Sequence, residues 1–152
     1  MKIAGVEYSI ATRSLDIYIS GCKAEPKCNG CHNPELWDFK AGAPFDAGKM
    51  AEITQMIKDN DILIDNIFIM GGEPLDQEWK YLEVLLEALA QVGKYIWVFT
   101  RFELNEIDVD RLRPFVDYIK TGRYDDKQLS KDNIQFGVKL ASSNQRVWRI
   151  SK

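Results

Sequence analysis

Residues 20–33 read Ser-Gly-Cys-Lys-Ala-Glu-Pro-Lys-Cys-Asn-Gly-Cys-His-Asn, and this stretch holds all three cysteines of the chain. The spacing of Cys22, Cys28 and Cys31 is Cys-x5-Cys-x2-Cys. The Gly, Pro and Asn residues around them bend the backbone, which allows the thiolates to converge. An iron–sulfur cube normally takes four cysteines. Three thiolates in one loop therefore predict a cluster with one iron left open to bind a substrate.

The same loop permits three other interpretations. Buried structural cysteines are disfavoured because all three thiols cluster in one turn-rich segment. A zinc site of three cysteines and His32, the only histidine, is weakened because Cys31 and His32 are adjacent, and neighbouring side chains rarely both reach one tetrahedral ion. A disulfide would leave one cysteine unpaired and requires an oxidising compartment. We favour the open cluster and keep a non-catalytic Cys3His zinc module as the alternative from another class.

Composition limits the remaining function classes. The chain has 152 residues, of which 45% are hydrophobic, and we expect one domain over residues 1–152. Twenty basic and 23 acidic residues give a net charge of −3, which is no electrostatic footprint for nucleic acid. Residues 1–7 lack the apolar segment of a signal peptide, and no apolar run approaches the roughly 18 residues that cross a bilayer. We therefore expect a cytoplasmic protein with no membrane partner.

Hydrophobic periodicity predicts strands that alternate with helices. The predicted strands cover residues 5–10, 15–20, 66–70, 95–100, 116–120, 134–140 and 147–150. The predicted helices run from the N-cap Asp46 to about Asp59, from 78 to 92, and from 109 to 113. Such alternation indicates βαβ units and an α/β fold with a mostly parallel sheet.

A second motif, Gly71-Gly72-Glu73-Pro74, directly follows the buried strand 66–70. Parallel sheets bind ligands at the carboxyl ends of their strands, so this motif and the cysteine loop should open onto one edge. Paired glycines allow a ligand close to the backbone, and Glu73 offers an acceptor for an ammonium group. An amino acid can chelate an open iron through its amine and carboxylate. S-adenosylmethionine carries such an amino-acid group, with both an amine and a carboxylate.

The cysteine loop together with residues 71–74 resembles the radical S-adenosylmethionine superfamily. Residues 28–37 resemble its glycyl-radical-activating branch, and residues 120–124 and 142–146 are similar to the members that serve anaerobic ribonucleoside-triphosphate reductase. The resemblance extends from about residue 5 to residue 150. One departure is the spacing, because the superfamily usually has Cys-x3-Cys-x2-Cys and this chain carries two more residues between Cys22 and Cys28.

This resemblance implies an incomplete (β/α) barrel of the radical S-adenosylmethionine type and a [4Fe-4S] cluster. The implied cluster ligands are Cys22, Cys28 and Cys31. The implied contacts to S-adenosylmethionine are Gly30, Cys31, His32, Gly71, Gly72 and Glu73. The aromatic stretch 33–39 is expected to cover the cluster, although Trp37 and Phe39 would serve equally well as core residues.

The activity implied by the resemblance is radical generation. Reductive cleavage of S-adenosylmethionine would yield a 5′-deoxyadenosyl radical, which takes a hydrogen from a glycine of the partner, anaerobic ribonucleoside-triphosphate reductase. A one-electron donor such as flavodoxin or ferredoxin is also implied. The alternative enzyme is an activase of another glycyl-radical enzyme, of lyase type. Thr100 and Lys120 lie near the ends of later strands and could reach the ribose or adenine, but capping or a solvated surface explains them equally well, so both are left out of the candidate site.

Overall fold

The computed structural model describes residues 1–150. Its strands are β1 (Lys2–Ser9), β2 (Ser14–Ile19), β3 (Ala43–Pro44), β4 (Asn66–Gly71), β5 (Tyr95–Phe99), β6 (Tyr118–Thr121), β7 (Ile134–Gln135), β8 (Val138–Lys139) and β9 (Arg146–Arg149). Its α-helices are α1 (Ala47–Asp59), α2 (Trp79–Ala90) and α3 (Val109–Leu112). Short 3-10 turns lie between these elements, among them Pro34–Trp37 and Pro74–Asp76.

Seven of these strands form one sheet in the order β3-β1-β2-β4-β5-β6-β9. The central strands β2, β4, β5 and β6 are parallel, and each of the last three follows a helix. Antiparallel strands border them, because β1 pairs with β2 and β3 on one side and β9 pairs with β6 on the other. The predicted α/β fold with a mostly parallel sheet is confirmed. Closure of this sheet into an incomplete barrel stays a prediction.

The helices cover one face of the sheet and form the main core with it. Helix α1 begins where the Asp46 side chain accepts a hydrogen bond from the Lys49 amide, as the N-cap prediction requires. The predicted leucine stripe of α2 is buried against the strands. The fully buried side chains of this core include Leu15, Ile17, Ile19, Ile53, Ile67, Ile69, Leu85, Leu86, Leu89, Val98 and Ile119.

The opposite face is aromatic and carries the C-terminal hairpin. Phe68 packs on Trp97 with ring centroids 5.3 Å apart, and Trp97 stacks on Tyr118 at 4.3 Å. The β7–β8 hairpin lies beside this cluster. The prediction of one strand over residues 134–140 is wrong because Phe136 and Gly137 both have positive φ, the backbone of a tight hairpin turn.

This topology places four chain segments at one edge of the sheet. Parallel strands β2, β4, β5 and β6 all end there, and the segments that follow them converge. The cysteine loop follows β2, the glycine turn follows β4, and residues 100–103 and 122–126 follow β5 and β6. Over residues 1–150, the longest helices are too short or too polar to span a bilayer.

Candidate functional site

A cavity of about 270 Å³ opens at this edge of the sheet. Both sequence motifs reach it, as predicted. The three thiols line it together with His32, the turn at 71–73, and side chains at the ends of β5 and β6. Cys22 is buried, whereas Cys28 and Cys31 are partly exposed, and all three are free thiols.

Backbone hydrogen bonds join the cysteine loop to the glycine turn. The Glu73 amide donates to the Gly21 carbonyl at 2.8 Å, and the Gly72 amide donates to Ile19 at 2.7 Å. A Cβ placed on Gly72 would lie 2.4 Å from the Gly21 carbonyl oxygen and 2.6 Å from that of Leu36. Because real Cβ atoms do not approach backbone so closely, only glycine fits at position 72 without moving the cysteine loop.

The Glu73 side chain is buried and anchors the turn to the end of β5. Its Oε1 accepts hydrogen bonds from the Leu75 amide at 3.0 Å and the Thr100 hydroxyl at 2.8 Å. Its Oε2 accepts from the Arg101 amide at 2.8 Å. Burial raises the pKa of Glu73, and these hydrogen bonds oppose that rise by stabilising the carboxylate. The contact of Glu73 with a ligand amine stays a prediction, since these protein donors already engage both oxygens.

Lys120 supplies a buried cation to the cavity. Its side chain lies in the lining, where Nζ donates to the Gly122 carbonyl at 2.9 Å. Burial lowers the pKa of Lys120 to about 8, and the nearby charges of Glu73, Cys28 and Glu103 oppose that shift. An anionic group bound in the cavity would stabilise the protonated ammonium.

One local and one distant side chain hold the part of the cysteine loop between its first two cysteines. Lys27 Nζ donates to the Cys22 carbonyl at 2.6 Å. The Arg123 guanidinium donates to the Pro26 carbonyl, in the stretch that is two residues longer than usual for the resembled superfamily. The longer loop is therefore tied to the segment after β6.

The same segment supports the far end of the loop. Asn29 Nδ2 donates to Asp126 Oδ2 at 2.6 Å, and the His32 ring lies 4.4 Å from the Tyr124 ring. Gly30 has φ +67 and lies against Tyr124, but it is exposed and is not among the residues that line the cavity. Of the six predicted contacts to S-adenosylmethionine, the other five line it.

Comparisons of the sequence with known proteins agree on one family. The family model of a 4Fe-4S single cluster domain matches residues 11–148. A Pasteurella multocida protein named anaerobic ribonucleoside-triphosphate reductase-activating protein is 31% identical over 90% of this chain and 87% of its own. The chain belongs to this family of activating proteins.

Other members of the family are similar over comparable lengths. The Haemophilus influenzae activating protein is 30% identical over 88% of this chain and 86% of its own. The activating protein of Enterobacteria phage T4 is 26% identical over 87% of this chain and 81% of its own. No solved structure matches this chain.

The donor set fits the cluster that the family model describes. Thiolates are the ligands of iron–sulfur clusters, and each thiolate binds a different iron, so the sulfurs surround a cavity and do not meet at a point. A single zinc ion requires four donors within about 2.3 Å of one centre. Among residues 1–150, no three His, Cys, Asp or Glu side chains converge closely enough to hold one ion. The arrangement of thiols around one cavity favours the cluster.

Several cavity residues have no place in the sequence prediction. Thr100 and Lys120 line the cavity although the prediction leaves them out, and Arg101 and Gln145 join them. Thr100 and Arg101 directly follow β5, and Lys120 lies near the end of β6, which is the signal that identifies them. Trp37 also lines the cavity, whereas Phe39 is partly exposed and packs over Gly21.

The C-terminal motif at residues 142–146 has a structural role. Gln145 Oε1 accepts hydrogen bonds from the amides of Ala141 and Ser142 at 3.1 and 3.2 Å. Asn144 Nδ2 donates to the Arg123 carbonyl at 2.9 Å. The motif thus positions the segment that supports the cysteine loop.

A larger hollow, of about 630 Å³, lies at the opposite edge where β5 and β6 begin. Three of its charged lining residues, Asp65, Lys94 and Arg113, form ion pairs with Arg13, Asp61 and Asp110. The fourth, Asp117, accepts a hydrogen bond from the Ile96 amide at 2.9 Å. The hollow contains no thiol, so the smaller cavity is the candidate site.

Proposed function

We propose that this protein is the activating enzyme of an anaerobic ribonucleoside-triphosphate reductase, a radical S-adenosylmethionine domain over residues 1–152. Held by the three cysteines, a [4Fe-4S] cluster would supply the electron for reductive cleavage of S-adenosylmethionine, and the 5′-deoxyadenosyl radical so formed would generate the glycyl radical of the reductase. The observation that carries the proposal is that both motif loops, one with three free thiols and one with paired glycines, line a single cavity.

Different residues of the chain would hold the cluster and contact the co-substrate. Cys22, Cys28 and Cys31 would hold the cluster, and a fourth thiol is absent from the chain, which leaves one position for the co-substrate. The remaining predicted contacts, Gly30, His32, Gly71, Gly72 and Glu73, would contact S-adenosylmethionine, mainly through backbone groups.

Lys120 gives the cavity a positive charge that complements an anionic ligand. A thiolate-bound cluster and a carboxylate are both negative, and the nearly buried ammonium lies among the lining residues where it stabilises either one. Glu73 holds the glycine turn against β5 and keeps this geometry rigid.

The target is a protein segment because a radical must be protected from water. A partner that covers the cavity mouth would supply the glycine and exclude solvent in the same step. The reductase is the partner named for the relatives. The electron donor would be a one-electron protein such as flavodoxin or ferredoxin.

The experiment combines reduced protein, S-adenosylmethionine and purified anaerobic ribonucleotide reductase without oxygen. We expect slow formation of 5′-deoxyadenosine without the reductase and faster formation with it. A glycyl doublet should appear in the electron paramagnetic resonance spectrum of the reductase. Replacing the acceptor glycine of the reductase by alanine should remove the doublet.

Two results contradict the proposal at different levels. A doublet on a glycyl-radical lyase but not on the reductase would favour the alternative activase. A colourless protein that binds zinc and no iron after anaerobic reconstitution would favour the Cys3His module.

A further inference from the structure

Arg101 is the second residue after β5, and contacts on several sides hold it in place. Its Nη2 donates to both carboxylate oxygens of Asp76 at 2.9 and 3.0 Å, and its amide donates to Glu73. Its guanidinium lies 3.9 Å from the centre of the Phe102 ring. The side chain is only 19% exposed, so the position of its charge is defined by protein contacts.

The cysteine loop is connected to this arginine through Asp76. The Lys23 amide, one residue after Cys22, donates to Asp76 Oδ2 at 2.6 Å. One carboxylate therefore binds both the arginine and the loop backbone beside the first cysteine. The Asp76 side chain is 7% exposed, which shields both contacts from water.

Arg101 lies at the same cavity as Cys22. Both residues line the cavity, and the guanidinium Nε is buried without a hydrogen-bond partner within residues 1–150. Nε lies 3.9 Å from Glu73 Oε2, beyond hydrogen-bond distance. Because an arginine guanidinium stays protonated at neutral pH, Arg101 is a permanent cation at this cavity, with one donor unused.

We propose that Arg101 is a positioning residue that raises the reduction potential of the cluster by donating a charge-assisted hydrogen bond to the Cys22 thiolate. The inference rests on the proposed cluster. Hydrogen bonds to the sulfurs and local charge set the potentials of iron–sulfur clusters. Reduction adds negative charge, and a nearby buried cation stabilises the reduced form more than the oxidised form. Arg101 would make the cluster easier to reduce.

The test measures the midpoint potential of the reconstituted protein by anaerobic redox titration, with the iron content determined in parallel. We expect Arg101→Gln to lower the equilibrium constant for one-electron reduction about tenfold, which corresponds to about 59 mV. Arg101→Lys keeps the charge but loses the planar fork, so a smaller shift in the same direction is expected.

The matched control is Arg123→Gln, which removes an arginine that donates to Pro26 in the same loop. The equilibrium constant for one-electron reduction should change less than twofold in this variant. The inference is overturned if the Arg101→Gln protein loads the cluster and its equilibrium constant for reduction stays within twofold of the wild-type value. If that variant does not load, an unshifted Arg101→Lys overturns it equally. Wild-type protein without a cluster refutes the proposed function itself, and this separates the two failures.

Discussion

The two loops that form the cavity are built differently. The cysteine loop, residues 20–33, contains no helix or strand and exposes much of its length. Side chains hold its distal half, several of them at the surface. The glycine turn, residues 71–76, has a buried carboxylate whose two oxygens accept hydrogen bonds from three groups of the protein.

This contrast separates a rigid half of the site from an adaptable half. The glycine turn is complete without a ligand because protein donors satisfy its buried acceptor. The cysteine loop presents three free thiols, none of them in a disulfide. We infer that metal binding completes the cysteine loop, while the turn supplies a fixed wall.

The largest effect is expected from the cysteines. Replacing Cys22, Cys28 or Cys31 by Ala should abolish the [4Fe-4S] absorbance of anaerobically reconstituted protein, because each thiolate would hold a different iron. His32→Ala is the matched control and should retain the cluster, since its ring packs on Tyr124. Loss of metal in His32→Ala as complete as in Cys31→Ala would contradict the three-cysteine interpretation.

The next effect tests whether the two loops are independent. Gly72→Val should destabilise the folded protein by about 3 kcal/mol, since its side chain would meet the backbone of Gly21 and Leu36. Weaker binding of S-adenosylmethionine is expected from Gly72→Val, and cluster loading should fall as well, because the displaced backbone adjoins Cys22. Thermal unfolding and iron content measure both losses.

Gly5→Val is the matched control for this substitution. A Cβ on Gly5 meets no atom within 4 Å, so stability and iron content should change little. A Gly72→Val protein that keeps wild-type stability and loading would show that the cysteine loop yields to the turn without cost.

The smallest effect concerns the support from residues 123–126. Asp126→Ala removes the acceptor of the Asn29 amide and should cost about 1 kcal/mol of stability. The iron should also be lost faster to a chelator, because this contact restrains the loop between Cys28 and Cys31. Asp132→Ala, at an exposed aspartate of the tail, is the control. Equal chelation rates in the two variants would remove residues 123–126 from the support of the loop.

Much of the fold could be predicted because its signals are local. The leucine stripe of α2 and the apolar runs of β4 and β5 each identify one element without tertiary information. The convergence of the two motifs followed from a rule about parallel strands. The tail was harder, because Phe136 and Gly137 turn a short apolar run into a hairpin.

Contacts between distant segments limited the prediction of the site. Arg101 lies just beyond β5 and Lys120 lies in β6, positions that many surface residues share, and only packing shows that they line the cavity. The sequence predicts Glu73 as an acceptor for a ligand ammonium group, and it gives no sign that folding brings Thr100 and Arg101 to its oxygens as donors. Spacing in the sequence does not encode such partners.

The helix-side core has one further consequence. Its buried side chains all lie outside residues 20–33, and so do the partly buried residues packed against it. Small metal domains whose core depends on the ion unfold when it leaves. Because this core does not include the cysteine loop, we expect the protein to stay folded when oxygen destroys the cluster. A new cluster could then be assembled on the same folded chain.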